Sequence, residues 1–91
     1  MATFSKCTVH QAGPVSNSSD TPPPVIFISL TDEGGSFRTQ WFFAANGIQN
    51  QMLAVALAAI NGQRFVHVDA DPPNPNNTPK TEIKRMYLRL D

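Results

Sequence analysis

Charge is scarce in this sequence. Seven Lys plus Arg and seven Asp plus Glu make 15% of its 91 residues charged, with a formal net charge of +0 at pH 7, against about 25% charged residues in an ordinary domain. Binding to a polyanion is driven by clustered positive charge and counterion release, so no nucleic-acid partner is expected. A neutral, charge-poor surface also gives little protection against self-association, which favours a homo-oligomer. Cysteine is nearly absent. Cys7 stands alone, so no intramolecular disulfide can form and the domain must be held by its core or by a partner chain. A lone thiol of this kind reads as a small buried hydrophobe. No window approaches the roughly 20 apolar residues of a membrane span, and the start, Met1 to Lys6, lacks the apolar core of a signal peptide. At 91 residues the chain reads as one domain, 1–91, because a second core needs roughly 50 residues more. No stretch carries a catalytic signature, so neither an enzyme activity nor a cofactor is expected.

What is present is mostly strand pattern. Phe4, Cys7, Val9 and Ala12 lie among polar neighbours and predict a first strand around Lys6 to Ala12. Gly13 to Pro24 holds four of the eight prolines and reads as a surface loop. Val25 to Leu30 is β-branched and aromatic, the strongest strand signal in the chain. Asp32-Glu33-Gly34-Gly35 supplies a hairpin turn, after which Ser36 to Ala44 returns as the partner strand. Strict alternation there places Phe37, Thr39, Trp41 and Phe43 on one face, with Arg38, Gln40 and Phe42 on the other. From Ile48 to Ile60, Met, Leu and Ala replace the β-branched residues and predict a helix, with Asn61-Gly62 as its stop. Met52 to Ile60 carries no polar side chain, so this helix needs cover on more than one side, from its own barrel or from a second subunit. Arg64 to Asp71 alternates again, with Val66, Val68 and Ala70 inward. Pro72 to Pro79 is a second Pro-rich loop, and Glu82 to Leu90 closes the chain with Met86, Leu88 and Leu90 alternating against Arg85, Tyr87 and Arg89.

The order β-β-β-α-β-β is that of an OB-fold, a small five-stranded Greek-key barrel with a helix plugging one end. A ferredoxin-like layout would need a helix where the first Pro-rich loop stands. The run Gln51 to Val68, with Ala58-Ala59-Ile60-Asn61-Gly62 leading into alternating valines, and the closing Glu82 to Leu88, resemble small bacterial OB-fold proteins. These look like the B subunits of AB-type toxins of the subtilase-cytotoxin and pertussis-like kind. The resemblance covers about half of the chain and implies a secreted protein that assembles as a pentameric ring and binds cell-surface glycans. A disulfide is common in such subunits, and this chain, with one cysteine, departs from that.

Several residues offer candidate sites, each with a plainer reading. Trp41, Phe42 and Phe43 cannot all enter one core, so at least one aromatic face meets a subunit, a ligand or the helix. Trp41 could stack on a sugar ring, while Arg38 and Gln40 could hydrogen-bond sugar hydroxyls or simply form a wet barrel exterior. Ser18 and Asp20 in the first loop offer a hydroxyl and a carboxylate, which are also ordinary loop chemistry. His67, Asp69 and Asp71 project from one strand face and are a conceivable hard-metal set, the alternative in which the chain is a metal-dependent enzyme. Pairing of those carboxylates with Arg85 and Arg89 across the ladder is the plainer alternative, and no metal is expected.

Overall fold

The computed structural model describes residues 2–15, 25–72 and 81–90. The chain order among them is β1 (Ala2–Val15), β2 (Val25–Asp32), β3 (Gln40–Ala44), α1 (Gln49–Gly62), β4 (Phe65–Ala70) and β5 (Glu82–Leu88). The strands close into a barrel in the order β1-β2-β3-β5-β4, with β4 returning to β1. The protein is mainly β with one helix, an OB-fold-like barrel. All the pairings are antiparallel except β3 with β5, which is parallel and consists of Phe43 opposite Glu82 and Ala44 opposite Ile83. That short seam removes the last open edges.

β1 is longer than the sequence predicts and extends into the expected loop as far as Val15. Its length follows from serving two partners. The segment Ala2–Thr8 pairs with β4, and Cys7–Val15 pairs with β2. Its register shifts between Phe4 and Cys7 and again between Val9 and Gln11; such bulges increase bend and twist, as a strand wrapped around a small barrel requires.

The third strand is shorter than expected and starts at Gln40 rather than Ser36. The carboxylate of Asp32 organises the intervening turn. Its Oδ1 accepts from the Gly34 amide at 3.0 Å and its Oδ2 from the Ser36 amide at 3.1 Å. Thr39 then adopts a left-handed φ of 49°, unusual for a β-branched residue, while its amide donates to Thr31 Oγ1 at 2.9 Å. This break in the alternation lets Phe37 join Phe42 in the core. Phe37 sits 4.9 Å from Phe4, edge to face, and 5.3 Å from Phe42. The expected separation of Phe37 from Phe42 onto opposite faces is therefore corrected.

The core holds Ile26, Ile28, Leu30, Phe42, Val66, Val68, Ala70 and Ile83, with Met52, Ala56 and Ala59 of α1 inserted from one end. The helix touches all five strands, as a plug does. It runs through Asn61-Gly62, the expected stop, to Gln63, whose φ of 53° makes a left-handed cap; the Gln63 amide donates to the Ile60 carbonyl at 3.4 Å and the Arg64 amide to the Ala59 carbonyl at 2.9 Å. In the final strand Ile83 and Met86 are buried, whereas Leu88 at its end is 44% exposed and Leu90, beyond it, 87%. A register shift where Asp69 faces Arg85 but Ala70 faces Ile83 resets the inward positions, so simple alternation fails there.

Candidate functional site

Burying Phe42 turns its neighbours in β3 outward. Trp41 lies opposite Ser29 and Phe43 opposite Phe27, and these form an aromatic patch on the outer face of the barrel. The Trp41 and Phe27 rings are 6.4 Å apart and tilted at 59°. Beside them β1 contributes Gln11 opposite Ser29 and Gly13 opposite Phe27. Gln11, Ala12, Gly13, Pro14, Phe27 and Trp41 line an open hollow of about 260 Å³. A Cβ built on Gly13 would meet nothing within 4 Å, so the hollow is open at this position. Sequence reasoning found Trp41 but not Gly13, Gln11 or Phe27, because the pairing of β1 with β2 extends past the predicted strand end.

Polar groups continue along the same β1–β2 surface. His10 Nε2 lies 2.7 Å from Thr31 Oγ1, and the Thr8 hydroxyl donates to Glu33 at 2.5 Å. An aromatic plate bordered by hydroxyl, imidazole and amide groups can stack on an apolar ring face while hydrogen-bonding its edge.

Arg38 and Gln40, the other described residues expected to bind a ligand, do not line this hollow. Arg38 is exposed in the β2–β3 turn and lines a separate polar hollow with Thr31, Asp32, Glu33, Gly35 and Phe37. Gln40 alternates with Trp41 and shares the Phe42 side. Its Nε2 donates to the Arg38 carbonyl at 3.4 Å, and its Oε1 is buried without a hydrogen-bond partner. Ser18 and Asp20 lie outside the described residues.

On the far side of the barrel, His67 and Asp69 share the outer face of β4. His67 Nε2 is 3.1 Å from Asp69 Oδ1, Arg85 is 3.8 Å from Asp69 Oδ2, and Tyr87 packs against the imidazole with ring centres 5.5 Å apart. A hydrogen bond from the Thr3 hydroxyl does most to hold the Asp69 carboxyl below its ordinary pKa, followed by the bond with His67, while burial opposes both. A carboxylate so engaged keeps its charge and is not a proton donor near neutral pH. Among the described residues no group of three or more His, Cys, Asp and Glu side chains is placed to hold a metal ion.

Cys7 is fully buried, its thiol directed at the Phe4 carbonyl at 3.7 Å. Burial above all, with the nearby charges of Asp32 and Glu33, pushes the thiol pKa up to about 12. It is a core residue rather than a nucleophile.

Comparison with protein-family models, with curated proteins and with solved structures gives no significant match. The class of the molecule is thus defined by its own architecture: a closed OB-fold-like barrel with an aromatic hollow on its outer wall.

Proposed function

We propose that the protein is a non-enzymatic, homo-oligomeric binding module that takes a carbohydrate ring on the outer wall of its barrel. The observation that carries this reading is the hollow between Trp41, Phe27 and the bare Gly13, with the Gln11 amide at its edge. Sugar rings have an apolar C–H face and a polar hydroxyl rim, and an open plate of this kind suits that combination. A hollow so shallow yields weak contacts singly, and repetition around a ring multiplies them. The glycan-binding ring implied by the toxin B-subunit resemblance accords with this.

The apolar face of α1 supports self-assembly. Leu57 is 43% exposed and Ile60 36%, and this is the face the sequence marks as needing more cover than one small barrel provides. A sedimentation mass several times 10.0 kDa is expected, whereas a clean monomer overturns the oligomeric part of the reading. Binding is tested by titrating the emission of the single tryptophan with soluble galactosyl, N-acetylglucosaminyl and sialyl oligosaccharides. A saturable change with at least one class supports the reading, and a flat response to all three opposes it.

A structural homo-oligomer with no small ligand is the second reading, favoured by the same exposed helix residues. It is distinguished by a ring whose tryptophan emission no saccharide alters.

A further inference from the structure

Two concavities open along the outer side of β2. Ile28 and Leu30 are fully buried, so Phe27, Thr31 and Glu33 share the outer row of the strand. Phe27 lines the aromatic hollow at one end of this row. Thr31 and Glu33 line a polar hollow of about 320 Å³ at the other, together with Arg38 of the β2–β3 turn. Phe27 and Thr31 lie about 13 Å apart at the usual rise of a strand, too far for one sugar ring to touch both hollows and within reach of a short saccharide chain. Polar groups stand between them. His10, at the bulge after Val9, has its Nε2 2.7 Å from Thr31 Oγ1, and the next residue, Gln11, lines the aromatic hollow.

The polar hollow offers a free donor and a free acceptor. Arg38 is exposed, and among the described residues its guanidinium has no ion-pair or hydrogen-bond partner. Asp32 is already committed, with one oxygen on the Gly34 amide and the other on the Ser36 amide. Glu33 Oε2 accepts from the Thr8 hydroxyl, which leaves Oε1 open. The backbone beside Arg38 is held in place: Thr39 is left-handed, and its amide donates to Thr31 Oγ1 at 2.9 Å. A left-handed β-branched residue costs free energy, and here it keeps Arg38 beside Thr31 and Glu33. A guanidinium fork next to a carboxylate oxygen matches two neighbouring hydroxyls, because a hydroxyl can accept from the first and donate to the second. A carboxylate ligand fits less well, since Asp32 and Glu33 outnumber Arg38 in the lining.

We infer that the Thr31, Glu33 and Arg38 hollow is a second subsite, so that the ligand is a linear oligosaccharide lying along β2, one ring on Trp41 and Phe27 and the hydroxyls of a later unit at Arg38 and Glu33. The inference rests on the sugar-binding reading and deepens it. The aromatic hollow alone, at about 260 Å³, is smaller than a usual small-ligand pocket, and joining two weak sites on one chain raises affinity.

The test titrates the tryptophan emission of the full-length protein with galactose, N-acetylglucosamine and the linear tetrasaccharide of each. For at least one sugar the tetrasaccharide is expected to bind at least about tenfold more tightly than the monosaccharide. Arg38→Ala and Glu33→Gln are each expected to weaken the tetrasaccharide about fivefold, with monosaccharide affinity and the urea midpoint unchanged. Amide shift mapping with the tetrasaccharide is expected to move Thr31 and Arg38 as well as Trp41. Equal affinity for monosaccharide and tetrasaccharide, a tetrasaccharide indifferent to both substitutions, or shifts confined to the aromatic hollow would overturn the second subsite and leave the sugar-binding reading in place. A flat response to all four saccharides overturns the subsite, and the sugar-binding reading falls with it when sialyl oligosaccharides also give none.

Discussion

Gly13 stands opposite Phe27 in the β1–β2 ladder, and the space where its side chain would project is empty to 4 Å. A strand glycine has more freedom to lose on folding than any other residue and packs nothing. Keeping one beside an aromatic pair has a stability cost, and access to the Trp41 and Phe27 rings is what it provides. Gly13→Val is therefore expected to fill the hollow. Pro14 follows and favours extended backbone at this position, which valine adopts readily. Stability measured by urea unfolding should stay level or rise by up to about 1 kcal/mol, while saccharide binding is lost. Loss of binding with a collapse of stability would show instead that the hollow is filled backbone space.

Phe42→Ala tests the core that aims Trp41 outward. Phe42 is fully buried against Phe37, and truncation of a large buried aromatic costs about 3–5 kcal/mol through lost transfer energy and the cavity left behind. That is a large share of the total for a domain of 91 residues. The urea midpoint is expected to drop sharply, with Trp41→Ala on the half-exposed outer face giving a much smaller loss.

Cys7 is expected to resist alkylation. Burial first, then Asp32 and Glu33, raise its pKa from an ordinary 9.0 to about 12, so at pH 8 the thiolate population is negligible. Iodoacetamide should label the native protein slowly and the urea-unfolded protein at the rate of a free thiol. The linkage has a definite sign: a thiol pKa raised on folding adds stability that is fully present below pH 9 and is lost as pH rises toward 12. Cys7→Ala should flatten the alkaline limb of the urea midpoint against pH.

Asp69 acts at the opposite end of the pH scale. Its pKa is depressed, chiefly by the Thr3 hydroxyl and then by His67, so its contribution is present above the unfolded carboxyl pKa and disappears as pH falls through the folded one. The Asp69→Asn variant is expected to show a weaker acid dependence of the urea midpoint than wild type. Equal acid limbs would place the stabilising charge elsewhere; Asp32 is the next place to look. Burial raises the Asp32 pKa, but the Gly34 and Ser36 bonds outweigh it and leave the carboxyl lowered.

Much of this architecture is written in local pattern. Val25 to Leu30 and the inward valines Val66 and Val68 declare their strands through β-branching and alternation, and the Met, Leu and Ala content of α1 declares the helix. Local pattern fails where the barrel bends. The bulge after Val9 and the register shift at Asp69 each change which residues face inward, which is why Ile83 and Met86, three residues apart, are both buried. The left-handed Thr39 has the same effect on Phe37. The candidate site is less legible still. Trp41 stands out as the single tryptophan, but the importance of Gly13, Gln11 and Phe27 depends on the β1–β2 register, a long-range pairing that composition and period do not encode.

The central claim is that the outer wall carrying Trp41 is a carbohydrate platform. A glycan array probed in parallel with wild-type protein and the Trp41→Ala variant tests it most directly. The account predicts that wild type binds a defined group of glycans and that folded Trp41→Ala binds none of them; an array on which folded wild type binds nothing, or on which the two proteins give the same pattern, contradicts it.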